Sequence, residues 1–532
     1  MITPTSATAL GLKLGVNSAD VNDAPGATQD LVVAQDERHV AFMRDYLPQP
    51  PCSPAGEAFH FRALHVGTLL VATLADDGTV AVRVVGHGVK LESVGFSADS
   101  KSLAYVDGYD ACSLGGVLKT AAADVTNPRT IESVTINFDE RIVGNTLLFL
   151  KSGASDFVGD VYAVWLPDGA PILISGASST YVGVWPSPDG RLAGSFDTTG
   201  AVSVLDVSTG TSHQLALGST AVGYDTVLWS ANGGFFALES LSLGTQQIGL
   251  AVAAPGDAQV THFASNGLAP NPVFSPDSSR LAYQALDSTG APEIVVHPLA
   301  GGSDLRLQGL PDPANNSFEV SFSPDSAVVL VLATDNTSGV PSLYTASVDG
   351  SGSLQLITSH VSANLGFPAM PPGDGNLAVT LDSGDTAVYA FDGADSTLLP
   401  GSLPVYEPNS AQPRLLLDPP RQASASTPVP AFLLASTDGT SMKTILLPTS
   451  ALPWGPGPQW MGHTVVYGFS PALTGTFPAL YATSGEGSSP TLLAASPDTY
   501  AWAPIPVPTR LFYARAAADI TGPAGLWMVP IP

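Results

Sequence analysis

The sequence has little charge: Asp, Glu, Lys and Arg together make up 12% of its 532 residues. What charge there is leans one way, with 46 acidic against 19 basic residues and a net charge of −27. Such a surface repels nucleic acid and anionic lipid and is compatible with basic partners or divalent cations, but it reads first as a means of keeping a large β protein with many exposed loops in solution. Long apolar runs are missing, so no transmembrane segment is expected. Cysteine is limited to Cys52 and Cys112, and no Cys-x-x-Cys pair exists to build a zinc site. Residues Met1 to Ser6 lack the basic and apolar stretches of a secretory signal. No Gly-x-Ser-x-Gly elbow marks a nucleophile, no alternation of strand and helix could carry a hydrolase domain, and the Gly-rich pieces lack a Walker pattern.

Apolar residues make up 44% of the chain, too many for disorder, and Gly (53) and Pro (46) are abundant. The apolar runs are short and bounded by Gly, Pro, Asp or Ser, which reads as strands joined by tight turns. The string Phe-Ser-Pro-Asp-Ser stands at Phe274–Ser278 and again at Phe322–Ser326, 48 residues on. Looser copies are Phe96–Ser100 and Pro186–Gly190. A short apolar run follows each copy, such as Leu281-Ala282-Tyr283 or Val329-Leu330-Val331. A period in the forties built on strand, turn and strand is the pattern of propeller blades.

Four strands per unit organise the chain. The unit near Asn271 has strands at Pro272–Ser275, Arg280–Leu286, Glu293–Leu299 and Asp304–Gln308. Looser units run upstream, beginning with Leu31–Val85 and Val94–Ile131, and downstream to Tyr500–Pro530. The fold class expected is all-β, a propeller of about eleven four-stranded antiparallel blades over 1–532. Typical rings hold four to eight blades, so two packed rings split near residues 220–270 are expected. The last unit lacks a fourth strand, and the strand-like segment Leu10–Val16 is expected to supply it, closing the ends and covering an open edge.

The Phe-Ser-Pro-Asp-x…Leu-Ala-Tyr pattern resembles the WD40-like repeat of TolB-like propellers and of the propellers in prolyl oligopeptidase-type peptidases. The match is clear at Phe274–Tyr283, good at Phe96–Tyr105 and Phe322–Val331, and partial elsewhere. The resemblance implies a periplasmic protein that binds protein partners. The chain departs from it in having too many blades and no recognisable extra domain before them. Without a hydrolase domain, the peptidase half of the resemblance falls away.

Asp99, Asp189, Asp277 and Asp325 read as structural turn residues, because Pro presets φ and Asp bonds to the backbone that follows. Cys52 and Cys112 follow equivalent strands in consecutive units, on one face of neighbouring blades. A disulfide between them would staple the first two blades, contribute a few (~3) kcal/mol and indicate an oxidising compartment. The histidines His87, His262 and His360 fall near ends of fourth strands, and His60 and His65 share a loop; none has ligand spacing, and they read as loop histidines. The pairs Asp76-Asp77 and Asp139-Glu140 serve turns unless they face one another across a cleft, as a glycosidase requires. No cofactor is expected; calcium is the one ion weighed, at Asp107–Asp110 or Asp156–Asp160. Trp454 and Trp460, amid Gly and Pro, are candidates for a partner-binding platform, with core packing as the alternative.

The function expected is a non-catalytic, protein-binding scaffold of the bacterial cell envelope. It would be periplasmic, outer-membrane-associated or extracellular, with its leader absent from this sequence. A propeller enzyme acting on glycans, as lyase or hydrolase, and a surface adhesin or assembly component are the alternatives.

Overall fold

The computed structural model of the chain describes residues 8–9, 31–44, 66–110, 115–135, 141–152, 159–175, 184–196, 202–215, 222–242, 248–257, 261–264, 271–311, 316–350, 352–362, 370, 375–391, 393, 396–407, 414–418, 431–446, 451–453, 459–471, 479–484, 491–495, 499–501, 508–515 and 525–531. Among these residues every regular element is a strand. No helix among them is long and apolar enough to cross a membrane.

Among the described residues the strands fall into ten sheets, most of them four-stranded, and within a sheet each strand generally pairs antiparallel with its neighbour in sequence. Units one and two together span 31–135; units three, four and five span 141–175, 184–215 and 222–264; and units nine, ten and eleven span 402–446, 451–495 and 499–530. Unit six is typical: Val273–Phe274, Arg280–Leu286, Pro292–Pro298 and Leu305–Arg306. Unit seven comprises Asn316–Phe322, Val328–Asp335, Pro341–Ser347 and Gln355–Thr358. Unit eight shows Asn376–Thr380, Thr386–Ala390 and Ser396–Leu399. The apolar run Val328-Val329-Leu330-Val331-Leu332, three of its five residues β-branched, suits a strand buried on both faces. Its odd residues, Val329 and Val331, pack on Ala282 and Ile294 of unit six. Leu330 and Leu332 point the other way, onto Leu377 and Val379 of unit eight. Each such side chain contributes roughly 1.5–3 kcal/mol by leaving water.

The same arrangement repeats along the chain. Buried clusters join each unit to the next, and residues within 220–270 share one with residues that follow: Ala237, Leu250 and Val252 lie against Leu281, Tyr283 and Val295. A further cluster joins the two ends of the chain. Phe512, fully buried in Arg510–Arg515, lies among Leu31, Val33, Phe42 and Leu70 of unit one, with Met528 beside them. Thr8–Ala9 pairs antiparallel with Gly525–Pro530, Thr8 opposite Met528 and Ala9 opposite Trp527. The segment named from the sequence for that place, Leu10–Val16, lies outside the described residues.

One sheet departs from the pattern. The sequence reading ends the first unit at Val85 and begins the second at Val94, but Val80–Phe96 is a single strand of 17 residues. Its first half pairs with Val66–Leu74 and its second with Ser102–Asp110, so units one and two form one seven-stranded sheet. Glycine makes the bend feasible: a Cβ on Gly86 would stand 2.5 Å from Asp107 Oδ1. At the register shift between Lys90 and Gly95, the Ser93 hydroxyl donates to Lys90 O at 2.7 Å and accepts from Val106 N at 2.9 Å. A side chain thus replaces a missing rung of the ladder.

Candidate functional site

The repeated turn is the feature that recurs from unit to unit, and its geometry is that of a frame. The Ser275 hydroxyl donates to Asp277 Oδ1 at 2.6 Å and accepts from Arg280 N at 2.9 Å. Ser279 N donates to the same carboxylate oxygen at 3.0 Å. Ser97 with Asp99, Ser187 with Asp189 and Ser323 with Asp325 repeat the hydroxyl-to-carboxylate bond at 2.6 Å. In unit five Asn232 takes the Asp position and accepts from Ser230 Oγ and Gly234 N. Burial opposes the charge on Asp277, but hydrogen bonds from Ser275, Ser279 and Ser326 outweigh it and hold the carboxyl at about 2. Asp438, in the turn between the last two strands of unit nine, is likewise drawn down to about 2 by Ser436 and Thr440.

The residue after the Asp has a second task. Ser100, Ser278 and Ser326 sit at φ near +60°, a left-handed conformation that aims the side chain out of its own turn. Each then accepts from the backbone of the preceding unit. Asp36 N bonds Ser100 Oγ at 3.0 Å, Asn232 N bonds Ser278 Oγ at 3.1 Å, and Asp277 N bonds Ser326 Oγ at 3.0 Å. Asp99 N uses Asn145 Oδ1 at 3.2 Å. Between units three and four the backbones themselves meet. A Cβ on Gly190 would lie 1.8 Å from Val143 O, so only glycine fits there. The link is hard to see in the string, because the residue after the Asp varies from Ser100, Ser278 and Ser326 to Gly190 and Glu37 while the Asp stays.

Between the last unit and the first, the link is a carboxylate. Glu37 occupies the position of Ser278, at φ 55°, and is only 7% exposed. Its side chain accepts from Thr509 N at 2.7 Å, from Arg510 N at 3.1 Å and from the Thr509 hydroxyl. Arg510 Nη1 returns a bond to Glu37 O at 3.0 Å.

Beside these turns, a cavity of about 380 Å³ opens between the first strands of units one to three, lined chiefly by Val32, Gln35, Val94, Phe96, Ala98 and Ile142. Its hydroxyls are already engaged, Ser93 with Lys90 and Val106, and Ser97 with Asp99 and Ser102. It can hold a small apolar group but offers no reactive side chain.

The other sequence candidates scatter. Cys52, Cys112 and Trp454 lie outside the described residues, as do His60, His65, Asp139, Glu140 and Asp156. Trp460 takes the core-packing alternative: it is 9% exposed and packed with Leu416, Phe432 and Val465. Its Nε1 donates across to Val405 O at 3.0 Å, so it joins units nine and ten and presents no platform. His87 contacts the Thr68 hydroxyl at 3.2 Å, while His360 meets Asp382 at 3.3 Å. Asp107 pairs with Lys119. Among the described residues no group of three His, Cys, Asp or Glu stands where it could hold a metal ion.

No family model matches the chain, and no curated protein matches it. Among solved structures it is similar to a putative TolB from Agrobacterium tumefaciens, at 15% identity, a TM-score of 0.26, and coverage of 52% of this chain and 84% of that one. It is also similar to the hydrazine synthase of Kuenenia stuttgartiensis, at 12% identity and a TM-score of 0.27, covering 57% of this chain and 94% of that one. A eukaryotic initiation factor gives 13% identity and a TM-score of 0.36, covering 62% and 78%. These likenesses are too low to carry a function across.

Proposed function

We propose that the chain is one closed β-propeller of eleven blades, and that it works as a non-catalytic scaffold binding a protein partner in the bacterial cell envelope. The commitment of the repeat's polar side chains carries this reading. Turn carboxylates and hydroxyls that would otherwise be the natural source of chemistry are spent on their own backbone and on the next unit's turn. A surface whose charged groups hold the frame rigid is suited to present shape, not to transfer protons.

A single ring, in place of the two expected from the sequence, is supported by the order of the buried clusters. They follow the chain from unit to unit and return from unit eleven to unit one through Phe512 and Glu37. The envelope assignment rests on the proposed Cys52–Cys112 disulfide, which mass analysis of the unreduced protein would test directly. The scaffold reading is tested by affinity capture from the native organism. A protein recovered in fixed proportion supports it. Recovery of small molecules alone, or turnover of a glycan by the purified chain, overturns it.

A further inference from the structure

Among the described residues the outer strands of the units end their sheets, so each has one row of backbone N–H and C=O groups with no described strand beside it. Most of these edges carry a feature that discourages a further strand. The outer strand of unit two holds Arg129 and Glu132, and that of unit six is two residues long with Arg306. Unit nine has Lys443 exposed in Met442–Leu446. In units three, seven and ten a register shift disturbs the pairing beneath the edge. Units four and five place His213 and His262 in theirs. Unit eleven is covered by Thr8–Ala9.

Unit eight is different. Its outer strand Ser396-Thr397-Leu398-Leu399 has no charged or titratable residue, and it pairs with Thr386–Ala390 without a register shift. Thr397 and Leu399 face unit nine, whose turn glycine Gly439 sits so close that a Cβ would stand 2.8 Å from Thr397 Cγ2. Leu398 points the other way and is 63% exposed. Asp438, ionised and exposed, belongs to the same turn that rests on Thr397. An uncharged edge with one exposed leucine therefore adjoins a negative charge, on a molecule of net charge −27.

We propose that the strand Ser396–Leu399 is a docking edge for an extended segment of a basic partner protein, added as a further strand of unit eight. An apolar side chain of that segment covers Leu398, and a Lys or Arg beside it meets Asp438. Main-chain bonds supply affinity in such strand addition, and the side-chain pair supplies orientation. A second copy of this chain is disfavoured as occupant, since two bodies of high like charge repel on approach. The proposal deepens the scaffold reading and rests on it.

The probe is a fluorescein-labelled peptide, Lys-Val-Thr-Val-Thr-Val-Lys, followed by anisotropy on the full chain, beside the same peptide with Glu at both ends. The expected result is saturable binding of the basic peptide, weaker by about tenfold with Leu398→Lys and by about threefold with Asp438→Asn, and no binding of the acidic one. Leu398→Ser serves if the lysine variant misfolds, and an unchanged melting temperature certifies either. Equal binding by wild type and Leu398→Lys overturns the proposal, because net charge alone would then hold the peptide. A dimer in sedimentation that Leu398→Lys abolishes also overturns it, in favour of a second copy. The two readings fail separately. A native partner captured equally by both forms removes the docking edge and leaves the scaffold, whereas no partner with the wild type removes the scaffold.

Discussion

The junction between units six and seven and the junction between units eleven and one solve the same problem with different chemistry. At the first, a neutral Ser326 hydroxyl accepts one bond from Asp277 N. At the second, the Glu37 carboxylate accepts from two backbone N–H groups and a hydroxyl, and Arg510 bonds back. The chain itself explains the difference. Units six and seven are joined by a short stretch of backbone, so their encounter costs little entropy. Glu37 and Thr509 are 472 residues apart, so bonds across the seam, beside the pairing of Thr8–Ala9 with Gly525–Pro530, must oppose the loss of freedom when the ends meet. Charge-assisted bonds are about twice as strong as neutral ones, and the seam uses them.

The largest test of that contrast removes the apolar half of the seam. Phe512→Ala should cost about 3–5 kcal/mol, read as a fall in the urea midpoint, because its ring is fully buried among Leu31, Phe42 and Leu70. A cost below that of a single exposed substitution would mean that the ends do not hold one another. Next comes the polar half: Glu37→Ala should cost about 2–3 kcal/mol, since it leaves Thr509 N and Arg510 N without their partner. Ser326→Ala, the matching change inside the chain, should cost about 1 kcal/mol. Equal losses for the two would erase the contrast. The seam variant should also raise hydrogen exchange at 508–515 before it does so at 280–286.

A smaller effect separates the turns by pH. Asp277 has its carboxyl lowered from 3.8 to about 2 in the folded chain, so its contribution is present above the unfolded value and is lost as pH falls through the folded one. Asp277→Asn should therefore flatten the fall in melting temperature between pH 4 and pH 2, with little change near pH 7 in that slope. An unchanged acid limb would show that the carboxylate is not held by its turn. The smallest prediction inverts the change. Asn232→Asp should stabilise unit five by about 0.5 kcal/mol at neutral pH and lose that gain in acid, giving it the behaviour of the Asp277 turn. Parallel melting curves at pH 7 and pH 3 would decide it.

What the sequence made legible was local. Ser275, Asp277 and Ser279 interact within five residues of one another, so the turn could be read from the string itself, and each apolar run after a turn formed a strand. The missing fourth strand of the last unit pointed to a meeting of the ends, but which side chains meet there stayed concealed. Nothing near Glu37 announces Thr509, and nothing near Leu31 announces Phe512, because those partners are set by how many units intervene. Trp460 stays open between platform and core in the sequence for a related reason: its neighbours are Gly and Pro, and only its distant partners show that it opens the hairpin of Gln459–Met461 and Thr464–Pro471 and is covered by unit nine. The candidate docking edge was hidden too, since Ser396–Leu399 reads as any other short strand until its neighbours' charges and register shifts are compared.

The continuous strand Val80–Phe96 bears on the gene as well as on the fold. An array of repeats can gain or lose members by duplication or deletion wherever a cut falls in a loop between units. No such place exists between units one and two, because one strand serves as the outer edge of the first and the inner edge of the second. A cut there would sever a strand that both units use, so duplication or deletion of either alone should be disfavoured. A circular permutant should accordingly tolerate new termini in the turn at Asp257, between the last two strands of unit five, and reject them anywhere in Gly86–Gly95.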